Sequence, residues 1–181
     1  GRIGLAVSPI DPDVVYAIIE AADGESGFFR SSDRGESWAK QSKHSTSGNY
    51  YSEIFADPHK LDRVWSVDVF LQVTDDGGKT FREAGDNNKH VDNHALWVDP
   101  DDTDHYLVGS DGGLYESYDR GETWRFSANL PVTQFYRVEV DNASPVYNVY
   151  GGTQDNYTLG GPSRTLNAHG IANQDWFVTW T

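Results

Sequence analysis

The 181-residue sequence contains no cysteine. Disulfides and thiolate metal sites are therefore excluded, and the redox compartment cannot be read from it. Basic residues are also scarce, with 14 Lys plus Arg against 28 Asp plus Glu and a formal charge of −14. A nucleic-acid or anionic-membrane surface needs the opposite sign, so neither partner is expected. Long apolar runs are missing too. The longest, such as Val14 to Ile19, are far too short to span a bilayer, so no membrane insertion is expected. No signal peptide is visible. The chain starts at Gly1 without a methionine and stops at "FVTWT" in what reads as mid-strand. We read it as a fragment, so a missing leader says nothing about the parent protein.

What is present is aromatic residues and glycine: six Trp, ten Tyr and 18 Gly, with aromatics at 13%. That mixture suits many short strands joined by tight turns. Three stretches share the pattern [ST]-x-D-x-G-x-[ST]-[WF]: "SSDRGESW" from Ser31, "TDDGGKTF" from Thr74 and "SYDRGETW" from Ser117. Both intervals between them are 43 residues, which identifies an internal repeat.

Upstream of each box lies a turn of Asp-Pro type, near Asp11, Asp57 and Asp99, with a degenerate copy at Asp141. Four short strands are predicted around each. In the first repeat they are Ile3 to Ser8, Val14 to Ala21, Phe28 to Ser31 and Ser37 to Gln41. In the second they are Tyr51 to Ala56, Val64 to Val69, Leu71 to Thr74 and Thr80 to Glu83. In the third they are His94 to Val98, His105 to Gly109, Leu114 to Ser117 and Thr123 to Ser127, with "SDGG" as a tight hairpin connection. Four antiparallel strands in about 40–45 residues is the arithmetic of a β-propeller blade. The expected fold is all-β, a β-propeller fragment with three complete blades (about 1–45, 46–88, 89–130) and part of a fourth (131–181). The remaining blades of the parent chain are then expected partners, because the fragment leaves sticky edges.

Each box reads as a turn. Gly35, Gly78 and Gly121 supply a positive φ. Asp33, Asp76 and Asp119 accept bonds from following backbone N–H groups, which lowers their pKa and leaves them poor proton carriers. Ser31, Thr74 and Ser117 close the loop, and Trp38, Phe81 and Trp124 cover it. None of these is a catalytic candidate.

This pattern resembles the Asp-box, or BNR repeat, of sialidase-like, xyloglucanase-like and sortilin-like propellers. It is similar above all to large bacterial BNR-repeat proteins described as sortilin-like or glycosyl-hydrolase-like. "GRIGLAVSP", "YYSEIFADP", "VDNHALWVDPDD", "GSDGGLYESYDRGETW", "QFYRVEVDN" and "YGGTQDNYTLGGPSRT" carry the likeness along almost the whole chain. The resemblance implies a secreted, periplasmic or cell-surface protein. It does not specify an activity.

Strand alternation puts the boxes and the Asp-Pro turns on one rim and the other loops on the opposite rim. That second rim collects Asp23, Glu25, Asp68, His90, Asp92, His94, Asp111, Gln134, Tyr136, Gln154, Asp155 and Asn156, and loops that converge in this way commonly bind ligands. His90, Asp92 and His94 alternate, so in an extended strand all three point one way. They read as polar lining or, alternatively, as ligands of a divalent cation, with no fourth ligand in sight. A glycosidase needs two carboxylates facing one another. Asp92 as base or nucleophile and Asp155 as acid are the pair this reading assigns. The arginine triad of sialidases is poorly met, with only Arg2, Arg137 and Arg164 available, and the charge opposes an acidic sugar. Tyr50, Tyr51, Tyr136 and Trp97 read as blade packing or as platforms for sugar rings. "GGTQDNYT" reads as a ligand-contacting loop or as a structural turn. Asn142 and Asn156 sit in N-x-[ST] sequons that carry little weight. The expected function is a BNR-repeat propeller that recognises a carbohydrate or protein partner on the rim opposite the boxes. The alternative is a glycoside hydrolase, xyloglucanase-like or sialidase-like, whose site is shared with further blades. No cofactor is expected beyond the cation just considered.

Overall fold

The computed structural model describes residues 1–48, 51–128, 130, 133–154 and 156–180. It divides into two compact units, Gly1–Ser127 and Ala128–Thr181. The first unit holds three antiparallel sheets of four strands each. Sheet 1 is β1 (Ile3–Val7), β2 (Val15–Ile19), β3 (Gly27–Ser31) and β4 (Ala39–Ser42). Sheet 2 is β5 (Glu53–Ala56), β6 (Val64–Val67), β7 (Gln72–Thr74) and β8 (Arg82–Glu83). Sheet 3 is β9 (Asn93–Val98), β10 (Tyr106–Ser110), β11 (Gly113–Ser117) and β12 (Arg125–Phe126). In each sheet the strands lie side by side in chain order. The strands fall where the repeat placed them, with shifted ends: β5, β8 and β12 begin two residues later than expected, whereas β3, β9 and β11 begin one residue earlier.

The turn between the first and second strands repeats with one backbone bond. Asp57 N donates to Arg63 O and Asp99 N to His105 O, both at 3.0 Å. The equivalent residue in sheet 1 is Ser8, whose N donates to Val14 O at 2.9 Å. The first Asp-Pro thus lies a few residues later in its turn than the other two. Ser8 Oγ takes over the side-chain role by accepting from Ile10 N at 3.1 Å.

The boxes join the third strand to the fourth. Ser31 Oγ donates to Asp33 Oδ1 at 2.6 Å and accepts from Gly35 N at 2.8 Å. Asp33 in turn accepts from Ser37 N at 2.9 Å and from Ser37 Oγ at 2.5 Å. Asp76 and Asp119 make the same bonds with Thr80 and Thr123. These donors hold the Asp33 and Asp76 carboxyls down at about 2, and they lower Asp119 as well. The three glycines have φ of 89°, 97° and 82°, as a left-handed turn requires. The residue before each is left-handed too (Arg34, Gly77, Arg120), which the sequence pattern did not indicate.

The core lies between sheets. Tyr16, Ile18 and Phe28 of sheet 1 pack on Ile54 and Val64 of sheet 2. Trp65, Val67 and Val73 of sheet 2 then pack on Leu96, Val98, Tyr106 and Val108 of sheet 3. Sheet 2 therefore has one face toward sheet 1 and the other toward sheet 3.

The second unit is a fourth four-stranded antiparallel sheet: β13 (Arg137–Val140), β14 (Asn148–Gly152), β15 (Thr158–Pro162) and β16 (Phe177–Trp180). No box occurs in its sequence. Asp141 repeats the turn of Asp57 and Asp99, its N donating to Asn148 O at 3.1 Å. Its carboxylate accepts from Asn148 and Tyr150 side chains and is held at about 2 by Asn148 first.

Candidate functional site

In the first unit, three segments of the rim opposite the boxes are tied together by backbone bonds. Asp92 N donates to Val69 O at 2.9 Å, Asn93 N to Asp68 O at 3.0 Å, and Asp111 N to Asp92 O at 3.1 Å. These join the β6–β7 loop, the approach to β9 and the β10–β11 turn. The tie is driven home by Asn93, fully buried, whose Nδ2 donates to Asp68 O and Val69 O at 3.1 and 3.0 Å. Its Oδ1 accepts from Lys89 Nζ at 2.5 Å, and that ammonium also holds Asp86 Oδ1 and His90 O. A buried charge needs such full pairing. The sequence pattern gave no sign of Asn93 or Lys89, since neither repeats.

Four candidate side chains sit on this frame. The Tyr51 hydroxyl donates to Asp92 Oδ1 at 2.9 Å. His94 Nε2 meets Asp111 Oδ1 at 2.8 Å, so the carboxylate fixes the proton on that nitrogen. The Tyr51 and His94 rings stack with centroids 5.7 Å apart and planes 17° from parallel. Beside them Asp68 accepts from Ser47 N at 2.8 Å and Val69 N at 2.7 Å. Burial, then the Asp92 bond, then the charges of Asp92, Asp68 and Asp111 push the Tyr51 phenol well above its ordinary value. It stays a proton donor throughout the physiological range. Two residues here take unusual backbone angles: Asp92 at φ 60° and Ser52, buried beside Tyr51, at φ 120°. Such conformations each cost about 1–3 kcal/mol and persist where packing over-determines them. A hollow of about 330 Å³ opens next to Tyr51, lined also by Arg2, Ile3, Ser52 and Glu53.

The expected alignment of His90, Asp92 and His94 on one strand face does not occur. β9 begins only at Asn93, and the left-handed Asp92 breaks the alternation. His90 Nδ1 turns to Val91 O at 2.7 Å, while Asp92 and His94 take separate partners. Among the described residues no group of three His, Asp or Glu side chains is placed to hold a metal ion. Asp23 and Glu25 are exposed on the β2–β3 turn. Asp155 and Tyr50 lie outside the described residues.

In the second unit Gln134 is exposed, and Gln154 accepts from the Tyr136 hydroxyl. Asn156 N donates to Thr153 Oγ1 at 3.0 Å, and Thr153 Oγ1 bonds back to Asn156 O. The "GGTQDNYT" segment is thus closed locally by Thr153. Trp97 lies outside both groups, half exposed and edge-on to His105.

Sheets of four antiparallel strands in chain order, stacked face to face and each turning at the same points, are β-propeller blades. Comparison with known structures agrees. The chain is similar to a GH74 enzyme from Niastella koreensis, with a TM-score of 0.58 and 16% identity over 98% of this chain and 30% of that one. It is also similar to a GH74 xyloglucanase from Xanthomonas campestris, with a TM-score of 0.52 and 19% identity over 88% and 28%. In sequence it is 29% identical over 152 residues to an oligoxyloglucan-reducing end-specific xyloglucanase from Emericella nidulans. That match covers 73% of this chain and 18% of the relative, so the chain spans under a fifth of that protein. No protein-family profile matches the chain.

Proposed function

We propose that this chain is part of a carbohydrate-active β-propeller of the glycoside-hydrolase type, acting on a neutral polysaccharide of the xyloglucan class. The carrying observation is the stacked Tyr51–His94 pair flanked by Asp92 and Asp111 on one rim. Aromatic faces beside oriented carboxylates are the groups that grip a sugar's C–H face and its hydroxyls. The likeness to a xyloglucanase supports the same substrate class. The acidic surface disfavours an anionic glycan. A polymer of this kind is met outside the cytoplasm, in keeping with a secreted or surface location. In this reading the three boxes are Asp-boxes of the BNR type and serve only as turns.

Asp92 is the carboxylate assigned to chemistry here, and a second carboxylate outside the described residues would serve as its acid partner. A second reading has one specific observation behind it. Asp92 and Asp111 each already hold an internal donor, which suits a recognition surface better than proton transfer.

One experiment separates the two. Xyloglucan oligosaccharides are incubated with the protein and with Asp92→Asn, Tyr51→Phe and His94→Ala, and both reducing-end release and binding are measured. An enzyme loses at least 100-fold of its release in Asp92→Asn while binding stays within a few fold. Binding that falls in Tyr51→Phe and His94→Ala, without any release, makes this a recognition propeller. Unchanged binding together with unchanged release in all three variants sinks the assignment of the site.

A further inference from the structure

The His94–Asp111 pair has a counterpart in the second unit, at the same two places in the repeat. The first turn of every sheet is closed by one backbone bond, to Val14 O, Arg63 O, His105 O and Asn148 O in turn. Five residues ahead of the donor of that bond stand His94 in sheet 3 and Tyr136 in sheet 4. Six residues past its acceptor stand Asp111 and Gln154. The same two places hold Ile3 and Glu20 in sheet 1, and Ser52 and Val69 in sheet 2. Strand register agrees. Gly4 pairs with Ile18, Glu53 with Val67, Ala95 with Gly109 and Arg137 with Gly152. In every sheet, therefore, the residue after the first place faces the residue two before the second.

The geometry is repeated, but its occupants are not. His94 Nε2 meets Asp111 Oδ1 at 2.8 Å, and the Tyr136 hydroxyl donates to Gln154 Oε1. Both bonds tie a ring to a polar acceptor at the end of a sheet. The rings stay open, with the His94 side chain 46% exposed and Tyr136 68% exposed. A hydrogen bond between groups that water can reach adds little to stability, so its effect here is to fix the direction of the ring. Ile3 and Ser52, which occupy the first place in sheets 1 and 2, both line the hollow beside Tyr51. All four sheets thus turn this place toward open space, two with rings and two with the wall of a hollow.

We infer that Tyr136 and Gln154 form a second sugar-contacting pair, the repeat equivalent of His94 and Asp111, and that this two-residue position specifies each sheet's contact with a glycan. The Tyr136 ring supplies a stacking face, and the Gln154 amide supplies N–H donors for a hydroxyl. Neither group carries charge and neither is a carboxylate, so this pair binds a neutral sugar and transfers no proton. The inference rests on the carbohydrate reading of the Tyr51–His94 site.

Nitration of tyrosine by tetranitromethane, followed peptide by peptide in mass spectrometry, reads the ring directly. Saturating xyloglucan oligosaccharide should slow nitration of Tyr136 severalfold and leave Tyr118, 61% exposed beside the third box, unchanged. Tyr136→Ala with Gln154→Ala should weaken binding about tenfold. The denaturation midpoint should not move, since both side chains are exposed. His94→Tyr with Asp111→Gln, which writes the fourth sheet's pair into the third, should bind nearly as wild type does, whereas His94→Ala with Asp111→Ala should not. Unprotected Tyr136 in a protein whose binding falls in His94→Ala would overturn this inference and leave the proposed function standing. Binding unmoved by either alanine pair would overturn both. A transplanted pair as weak as the alanine pair would overturn the equivalence of the two positions.

Discussion

The His44 imidazole lies flat on the Phe81 ring, with centroids 3.6 Å apart and planes 14° from parallel. Its Nε2 meets Ser66 Oγ at 2.9 Å, so one residue of the connection between sheets 1 and 2 covers a box aromatic. Burial pushes this histidine down from 6.5 to about 4, and Asp68 only partly opposes it. The folded protein therefore holds His44 neutral, while the unfolded chain takes up its proton below about 6.5. This stabilisation is complete above pH 6.5 and is lost progressively as pH falls toward 4. Urea denaturation at pH 7 and pH 4 should show wild type losing roughly 2 kcal/mol more than His44→Phe, after allowance for solvent screening. Parallel losses in the two proteins would refute the assignment.

Asp76 gathers four donors: the Thr74 hydroxyl at 2.8 Å, Lys79 N at 2.9 Å, Thr80 N at 3.0 Å and the Thr80 hydroxyl at 2.7 Å. Asp76→Ala should destabilise the protein by roughly 2 kcal/mol, because hydrogen bonds to a charged acceptor are lost in a turn that still needs them. Its carboxyl is lowered to about 2, so the stabilisation is present above about pH 4 and disappears as pH falls through 2. Denaturation midpoints of Asp76→Ala and wild type should therefore converge at pH 2. Substitution should leave glycan binding unchanged at pH 7, since the box lies on the rim away from Tyr51 and Asp92.

Lys89 is fully enclosed, with its charge met by Asp86 and by two neutral acceptors. Lys89→Met strands the Asp86 carboxylate, which among the described residues keeps Leu71 N as its donor at 2.8 Å. The expected cost is about 3 kcal/mol, as for other broken buried pairs. Adding Asp86→Asn should recover part of it, and a double-mutant cycle by urea denaturation measures the coupling. Additive losses would show that the pair does not act as a unit.

The boxes were legible in the sequence because each is closed within itself. The Ser117 and Asp119 side chains take their partners from one another and from Gly121 and Thr123, so their spacing is the structure. Strand order followed from the 43-residue period. The candidate rim was legible in part: Asp92, His94, Asp68 and Asp111 were expected on the rim opposite the boxes, where they lie together, but their partners were not foreseen. Tyr51 reaches Asp92 across 41 residues, and Asn93 reaches Asp68 across 25. No local pattern encodes such contacts. The alternation of His90, Asp92 and His94 misled for a related reason. A left-handed residue resets which way the next side chain points, and only the tie between Asp92 N and Val69 O shows why it is left-handed.

The side-chain bonds that close each box span only two to four residues, whereas the His94–Asp111 and Tyr51–Asp92 bonds of the opposite rim span 17 and 41. Short loops close in well under a microsecond and hairpins in about 1–10 μs, while distant segments must first overcome the entropy of meeting. Loop-closure entropy therefore favours early closure of the box rim, at three equivalent points along the chain, and later closure of the Tyr51–Asp92 rim, whose parts come from distant segments. Loops of that second rim lie apart from the box hairpins, so lengthening or exchanging them should leave the turns that close each sheet in place.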